Sequence, residues 1–468
     1  MTDLRQLHFR FRTDAGTADA SPTWGAGEDV NYYPGTANFR LRIGLRNAST
    51  VVAATPWELY VSRNGDTYTP VTTTIAKGVQ SVDAGSSADD TQVLIPRLYP
   101  FTTDWILSGA AIDLDFAGSR VFPGASFTDY LSISRASAGY ALTASGTLTS
   151  FSSNQLRQTD LGLLCEEART NLVLRNRDLT NAVWTKSNAT AALDQTGPDG
   201  SANSASSLLA TAGNATALQS ITDASTARFQ TAWVKRLIGS GTINMTMDNG
   251  ATWTAVTVTT DWSRVSIPSQ TIANPTVGFR IVTSGDKIAI DFVQNEAGSF
   301  ASSEIATTTT SATRAADLVN AVGSLDTVLA GTAKSSLVDV IVPQRTGVIG
   351  AVWVGGSSFF HLLKEHDTFQ QVRSDANDAT QLVATIGNSL SYTTGVKIAF
   401  AGDGSGRSIV GGGGTVATDA KTVTLTSGLI YIGSTTSSGG IYTGGYIRRL
   451  AVWSSRLDDV TLDALTAP

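Results

Sequence analysis

Cysteine is almost absent: Cys165 stands alone in 468 residues, so no intrachain disulfide can form and a small oxidised scaffold is excluded. The lone thiol suits folding in a reducing cytoplasm. Charge is scarce too, with Asp, Glu, Lys and Arg at 15% and a net charge of -6. Such a balance gives no general attraction to phosphate backbones or anionic lipid, so neither nucleic acid nor a membrane is an expected partner. No run of about 18 apolar residues occurs, which excludes an ordinary spanning helix. The opening MTDLRQLHFRFRTDAG lacks a positive start followed by an apolar stretch, so a standard export signal is not expected. Histidine numbers three, and His361 and His366 are five apart, a spacing that suits neither one helical face nor one strand face. With no cysteine beside them, zinc is not expected. One cysteine, three histidines and no G-x-S-x-G elbow leave nucleophilic triads without parts.

What is plentiful is glycine, 44 residues of it, with Ser and Thr set beside runs of Val, Ile and Ala. That mixture favours strands joined by tight turns. The expected fold class is all-β: tandem antiparallel β-sandwich or jelly-roll modules with a short C-terminal helix. At roughly 150 residues per domain, the length suggests about three.

Residues 1–105 contain QLHFRFR, NFRLRIGLRN and WELYVSR, each alternating apolar with basic or polar side chains, which predicts a small sandwich. Asn64 and Gly65 in SRNGDTYTPV offer the positive φ values of a type I′ hairpin. Residues 106–170 are less regular and predict a β-rich connector. Over 171–312, TARFQTAWVKR, GTINMTM, ATWTAVTVTT, WSRVSIPS, PTVGFRIVT and KIAIDFVQNEAG give six strands at about ten-residue spacing, the pattern of a jelly roll. The polar EIATTTTSATRAAD reads as an exit linker. A third sandwich is expected over 318–468. Its closing SRLDDVTLDALTA places Leu457, Val460, Leu462 and Leu465 on one helical face, with Asp458 or Asp459 as cap.

GLLCEEARTNLVLRNRDLTNAVWTKSNAT and GPDGSANSASSLL, closing on FASSEIATTTTSATRAAD, resemble the carbohydrate-binding-module-like jelly rolls of tailed-phage tail and fibre proteins. YIRRLAVWSSRLDDVTLDALTA resembles the end of concanavalin A or laminin-G-like sandwiches carried by the same kind of protein. HFRFRTDAG with TWGAGEDVNYYPGTANFRLRIGLRN is similar to an amino-terminal module of phage and prophage virion proteins, and related architectures occur in gene transfer agent spikes. The resemblance implies a virion-surface protein, a tail fibre or spike subunit, assembled in the bacterial cytoplasm and released by lysis. Its partners would be host cell-surface polysaccharide and, through the amino-terminal module, other virion proteins. Weak sugar sites would gain avidity in a homo-oligomer, most simply a trimer.

Trp184 either fills the core or offers a ring to a sugar, and the tendency of large aromatics to bury favours the core. The same tendency places Trp233, Trp353 and Trp453 inside. Trp253 and Trp262 each follow a turn, where a ring can be half exposed and stack on the C–H face of a pyranose, with Asp248, Asn249 and Arg264 available for its hydroxyls. Tyr442 and Tyr446 stand among glycines that leave rings uncovered, and Tyr442 is a further candidate. GDGSGRS and GGGG lack the following helix of a phosphate loop and read as turns. Glu167 and Asp291 would supply oxygens to a structural calcium ion if their strands adjoin; no other cofactor is expected. Glu166 and Glu167 are sequence neighbours on a strand and face opposite ways, which excludes them as a glycosidase pair. The expectation is a non-catalytic glycan binder. A purely structural tail or head component and a polysaccharide depolymerase with an acid pair from distant segments remain the alternatives.

Overall fold

The computed structural model describes residues 106–124, 126–341, 382–385, 395–434 and 444–467 with their side chains, and elsewhere the backbone of individual strands. Residues 1–108 and 109–468 form two compact units. In the first, β1 (Leu4–Thr13) pairs antiparallel with β2 (Phe39–Asn47), and β3 (Tyr60–Val61) with β4 (Thr69–Pro70). The last pair flanks the expected Asn64–Gly65 turn, which itself lies outside the described residues.

The second unit begins with β5 (Ile112–Asp115), β6 (Arg120–Phe122), β7 (Leu131–Ser134), β8 (Gly139–Leu142), β9 (Leu148–Phe151), β10 (Gln158–Thr159) and β11 (Gly162–Cys165). A jelly roll follows, comprising β12 (Arg169–Asn171), β13 (Thr185–Ser187), β14 (Ala189–Gln195), β15 (Ala205–Ala210), β16 (Ala215–Ser220), β17 (Thr226–Ile238), β18 (Ile243–Thr246), β19 (Thr254–Val256), β20 (Ser263–Ile272), β21 (Thr276–Ile281), β22 (Lys287–Ala297) and β23 (Ala312–Arg314). The chain ends with β24 (Leu318–Ala321), α1 (Gly323–Ala330), β25 (Lys334–Ile341), β26 (Val354–Gly355), β27 (Leu362–His366), β28 (Phe369–Asp375), β29 (Gln381–Thr385), β30 (Val396–Asp403), β31 (Gly406–Gly411), β32 (Ala417–Asp419), β33 (Tyr431–Ile432), β34 (Gly445–Trp453) and α2 (Asp459–Thr466). The fold is all-β, with antiparallel ladders throughout the paired strands and α2 as the short closing helix.

The segment expected to be a connector is part of a sandwich. β34 pairs with β5 through Leu450 and Val452 and with β11 through Ile447, while β7 pairs with β24 in the opposing sheet β26-β33-β24-β7. Alternation explains the packing: Val396, Ile398 and Phe400 of β30 and Val338 and Val340 of β25 enter one core that also holds Leu114, from the other side of the jelly roll. The domain boundaries read from composition are thereby redrawn. One sandwich is built from both 109–165 and 318–467, and the jelly roll is inserted into it.

The insertion is closed at its neck. The backbone N–H of Asp317 donates to Glu166 O at 3.0 Å, and β12 pairs with β23 so that Arg169 opposes Arg314 and Asn171 opposes Ala312. EEARTN and SATRAAD are thus the two sides of one clasp. Asp317 meets Arg135 at 2.8 Å, and it also meets Arg157; Arg157 reaches Glu166 at 2.9 Å, and Arg314 lies 3.5 Å from Glu166 and 3.8 Å from Asp317. No side chain of the five is more than 4% exposed. Several further donors are met by carbonyls, among them Ser137 O and Gln155 O for Arg135 and Tyr140 O for Arg157, whereas the buried Arg314 Nε has no hydrogen-bond partner among the described residues. The expected polar exit linker is correspondingly packed: Ile305 is buried, and the buried Thr307 accepts from Asn176 N and donates to Val173 O.

Three smaller expectations fare differently. GDGSGRS forms the β30–β31 hairpin, where Asp403 opposes Gly406. Helix α2 is capped by Asp458, which accepts from Thr461 N at 2.7 Å. Its buried face is Leu462 and Thr466, however, and Val460 is 81% exposed, because α2 lies against β30 and β31 along a different stripe from the one expected.

Removing one member of a buried ion cluster leaves its partners' charge buried and uncompensated. Asp317→Ala is expected to lower stability by about 3–5 kcal/mol, read as a lower urea midpoint. Asp194→Ala, in the exposed 3.6 Å pair with Lys287, is expected to lose at most about 1 kcal/mol. Similar losses in both would contradict this account of the neck.

Candidate functional site

Besides the β12–β23 pair at its neck, the jelly roll consists of two five-stranded sheets, β13-β16-β21-β18-β19 and β14-β15-β22-β17-β20. Ile243, Met245, Phe279, Ile281 and Ala217 point between them, together with Trp184, which is 1% exposed and donates from Nε1 to Arg175 O at 3.2 Å. Trp184 is therefore a core residue, as expected.

The outer face of the second sheet is covered. Ala232 and Val234 of β17 point inward, so Trp233 points out and packs with Phe292, Tyr140, Leu142 and Leu148. The last three come from the β8–β9 hairpin of the host sandwich. Trp233 is buried as expected, but against this hairpin and not in the sandwich interior. A bulge adapts the strand: Thr231 opposes Gln294 and Trp233 opposes Asp291, leaving Phe292 and Val293 against Ala232. Phe292 adopts φ 43, a conformation costly for a bulky side chain. The extra residue puts Phe292 on the hairpin and returns Val293 to the core.

Trp262 and Arg264 belong to this covered sheet. Trp262 donates from Nε1 to Thr196 O at 3.1 Å, has Lys235 Nζ 5.0 Å from its ring and borders the hairpin cluster. Arg264 pairs with Glu304 at 3.2 Å and donates to Ser302 O at 2.6 Å. Both are engaged in holding the fold.

The outer face of the first sheet carries Trp253, Asp248 and Asn249. Alternation and register set a row across it: Ala255, Asn244, Arg280, Thr216 and Ser187, from β19 to β13. The next row is Thr246, Gly278, Leu218 and Thr185. Gly278 is closely packed in the middle of it; a Cβ there would lie 2.1 Å from Ala217 O and 2.7 Å from Leu218 Cδ2. At one end the Asp248–Asn249–Gly250 turn, with Asn249 at φ 59 and Gly250 at φ 81, backs onto the Trp253 ring. Asp248 Oδ1 accepts from Thr252 N at 2.8 Å and Thr246 Oγ1 at 2.7 Å. Partial burial raises its pKa, but these hydrogen bonds outweigh it and hold the carboxyl below its ordinary value. Arg280 Cζ lies 4.6 Å from the Trp253 ring centroid, and Nε and Nη2 point to Asn244 Oδ1 at 3.3 Å. A shallow groove of about 410 Å³ beside β19 is lined by Ala255, Val256 and Thr257 on one side and by Ser263, Arg264 and Val265 on the other, so Arg264 borders it from the second sheet.

The predicted sugar set is therefore divided: Trp253, Asp248 and Asn249 share a face, whereas Trp262 and Arg264 lie on the other sheet. Arg280 and Asn244 join the first group. Only the alternation in GFRIV hinted at Arg280 pointing outward; its pairing with Asn244 comes from strands far apart in sequence. Tyr442 lies outside the described residues, as do Trp353 and the side chains of His361 and His366. Tyr446 is not uncovered, because its hydroxyl accepts from Leu142 N at 2.9 Å and burial raises its pKa. Trp453 is 2% exposed.

The calcium pairing of Glu167 with Asp291 is not formed. Glu167 is held by Arg169 at 2.9 Å, and Arg169 donates to Ala297 O at the end of β22, six residues or roughly 20 Å along the strand from Asp291. Asp291 is held at 2.8 Å by Arg177, which also grips Asp199 and lies 4.1 Å from the Phe292 ring centroid. Among the described residues no cluster of three or more His, Cys, Asp or Glu could hold a metal ion, and no helix is long and apolar enough to cross a membrane.

Burial pushes Asp291 up to about 6, against the opposing pull of Arg177 and the Phe292 N–H. A folded-state value above the ordinary 3.8 means that this group's stabilisation is fully present below that pH and is lost as pH rises through about 6. Asp291→Asn has no such group. The wild-type minus variant difference in urea stability is expected to shrink between pH 4 and 7, and a difference that grows with pH would contradict the assignment.

No protein-family model and no curated protein sequence matches the chain. Among solved structures it is similar to the Ruminococcus gnavus IT-sialidase CBM40 bound to alpha2,3 sialyllactose. The identity is 17% over 31% of this chain and 87% of that chain, with a TM-score of 0.26. A likeness at that score carries no argument about function.

Proposed function

We propose that the chain is a non-catalytic subunit of a phage-type virion, a tail fibre or spike that binds host cell-surface polysaccharide. The amino-terminal module joins it to other virion proteins, and a trimer multiplies weak sites into useful avidity. The observation that carries this reading is the outer face of the first sheet, which no described segment covers and where half-buried Trp253 and Arg280 lie over buried Asn244 beside Thr216 and the exposed Ser187. Half-exposed aromatic surface with a few placed polar groups is what sugar recognition needs. The non-catalytic part is supported by the use of the buried acids. Glu166, Glu304 and Asp291 each sit against an arginine and out of solvent, unable to approach a glycosidic bond.

The test is retention of host cells or their extracted polysaccharide by the purified chain, before and after periodate oxidation, with polysaccharide size followed in parallel. Retention is expected to vanish after periodate while length stays constant. Trp253→Ala is expected to weaken retention about tenfold, equivalent to ~1.4 kcal/mol. Trp262→Ala is expected to leave retention unchanged and lower thermal stability, because that ring packs beside the hairpin. Absence of retention by intact glycan would refute the binding role, and shortening of the polysaccharide would replace it with a depolymerase.

A further inference from the structure

Arginines in the jelly roll usually meet carboxylates. Arg177 grips Asp199 and Asp291, Arg228 meets Asp223, Arg236 meets Asp286, and Arg264 meets Glu304. Arg280, like Arg175, has no Asp or Glu among the described residues within ion-pair distance, and it lies on the outer face of the first sheet. Its surroundings are an indole face, one amide oxygen at 3.3 Å and solvent on the outer side of the sheet. A guanidinium carries five N–H donors in a rigid fork, and Nη1 meets no acceptor among the described residues. The indole fixes the plane of that fork, so its free edge is presented in one orientation. Across the strands stand the hydroxyls of Thr216 and Ser187.

We infer that this face selects an acidic glycan, with Arg280 taking the carboxylate or phosphate of a charged sugar while Thr216 and Ser187 meet ring hydroxyls. The inference rests on the glycan-binding reading and narrows it to a chemical class. Planar carboxylate and tetrahedral phosphate both match the fork. Asp248, the acid at the Trp253 end, has Oδ1 turned into its own loop by Thr246 and Thr252, and its charge disfavours a second anion there. One anchored charge with neutral hydroxyls alongside describes a sugar with an isolated acidic group better than a densely charged polyanion.

The probes are immobilised bacterial capsular polysaccharides, neutral ones and ones containing uronic acid or phosphodiester. Each acidic one is also presented after carboxyl reduction or after dephosphorylation with hydrofluoric acid. The full chain is expected to bind acidic members only, and to lose at least tenfold in affinity when the matching acidic group is removed. Loss on carboxyl reduction assigns a carboxylate, and loss on dephosphorylation assigns a phosphate. Arg280→Gln is expected to match that loss on the acidic form and to change nothing on the neutralised form. Arg280→Lys should restore part of it, and unchanged thermal unfolding would separate the effect from misfolding. Binding that survives both treatments, or that favours neutral polysaccharides, would overturn the acidic inference while leaving glycan binding intact. Absence of binding to every polysaccharide would overturn both.

Discussion

The carboxylate of Asp317, enclosed by Arg135, Arg157 and Arg314 with Glu166 beside them, is the constraint on which the second unit depends. Each charge taken from water carries a desolvation penalty of several kcal/mol, balanced only by partners in good geometry. Those partners come from four places in the chain: β7–β8, β9–β10, the entry to the jelly roll and its exit. The cluster therefore forms only when the host sandwich has closed and the inserted module has returned to its starting point. Hydrophobic burial drives each sandwich to collapse; the ion cluster specifies how they are joined.

The joint decides which surfaces remain for function. A jelly roll has two outer sheet faces, and here the β8–β9 hairpin covers one of them through Trp233, Phe292, Tyr140 and Leu148. The strained, bulged Phe292 marks how closely that face has been fitted to its cover. No described segment covers the other sheet, which keeps Trp253 and Arg280 half-buried beside the hydroxyls of Thr216 and Ser187. Position on the sheets, more than residue type, thus separates the two turn-flanking tryptophans into one structural ring and one candidate for recognition.

Local periodicity made much of this legible. Strand runs such as TARFQTAWVKR and KIAIDFVQNEAG, the Asp458 cap and the GDGSGRS hairpin follow from short-range rules and hold. What the chain order concealed is non-local. Nothing in GASFTDYLSIS announces that β7 pairs with Leu318–Ala321, about 185 residues later, and polar spacing alone made EIATTTTSATRAAD look like a linker when it is half of a clasp. Alternation assigned Trp233 to a buried place without saying which side of the sheet buries it. The inserted bulge at Phe292 defeats alternation altogether, since one extra residue reverses every later side chain. Arg280 was hidden for the opposite reason: an outward arginine in a strand is ordinary until its cross-strand neighbours are known to lack a carboxylate.

The central claim is that the open sheet of the jelly roll meets polysaccharide while the hairpin-covered sheet does not. Hydrogen–deuterium exchange of the full chain with and without host polysaccharide tests it most directly. The account predicts slowed exchange confined to Ala215–Ser220, Ile243–Val256 and Thr276–Ile281, with Gly139–Phe151 and Ser263–Ile272 unchanged. Protection of the hairpin or of β20, with none on the open sheet, would contradict it.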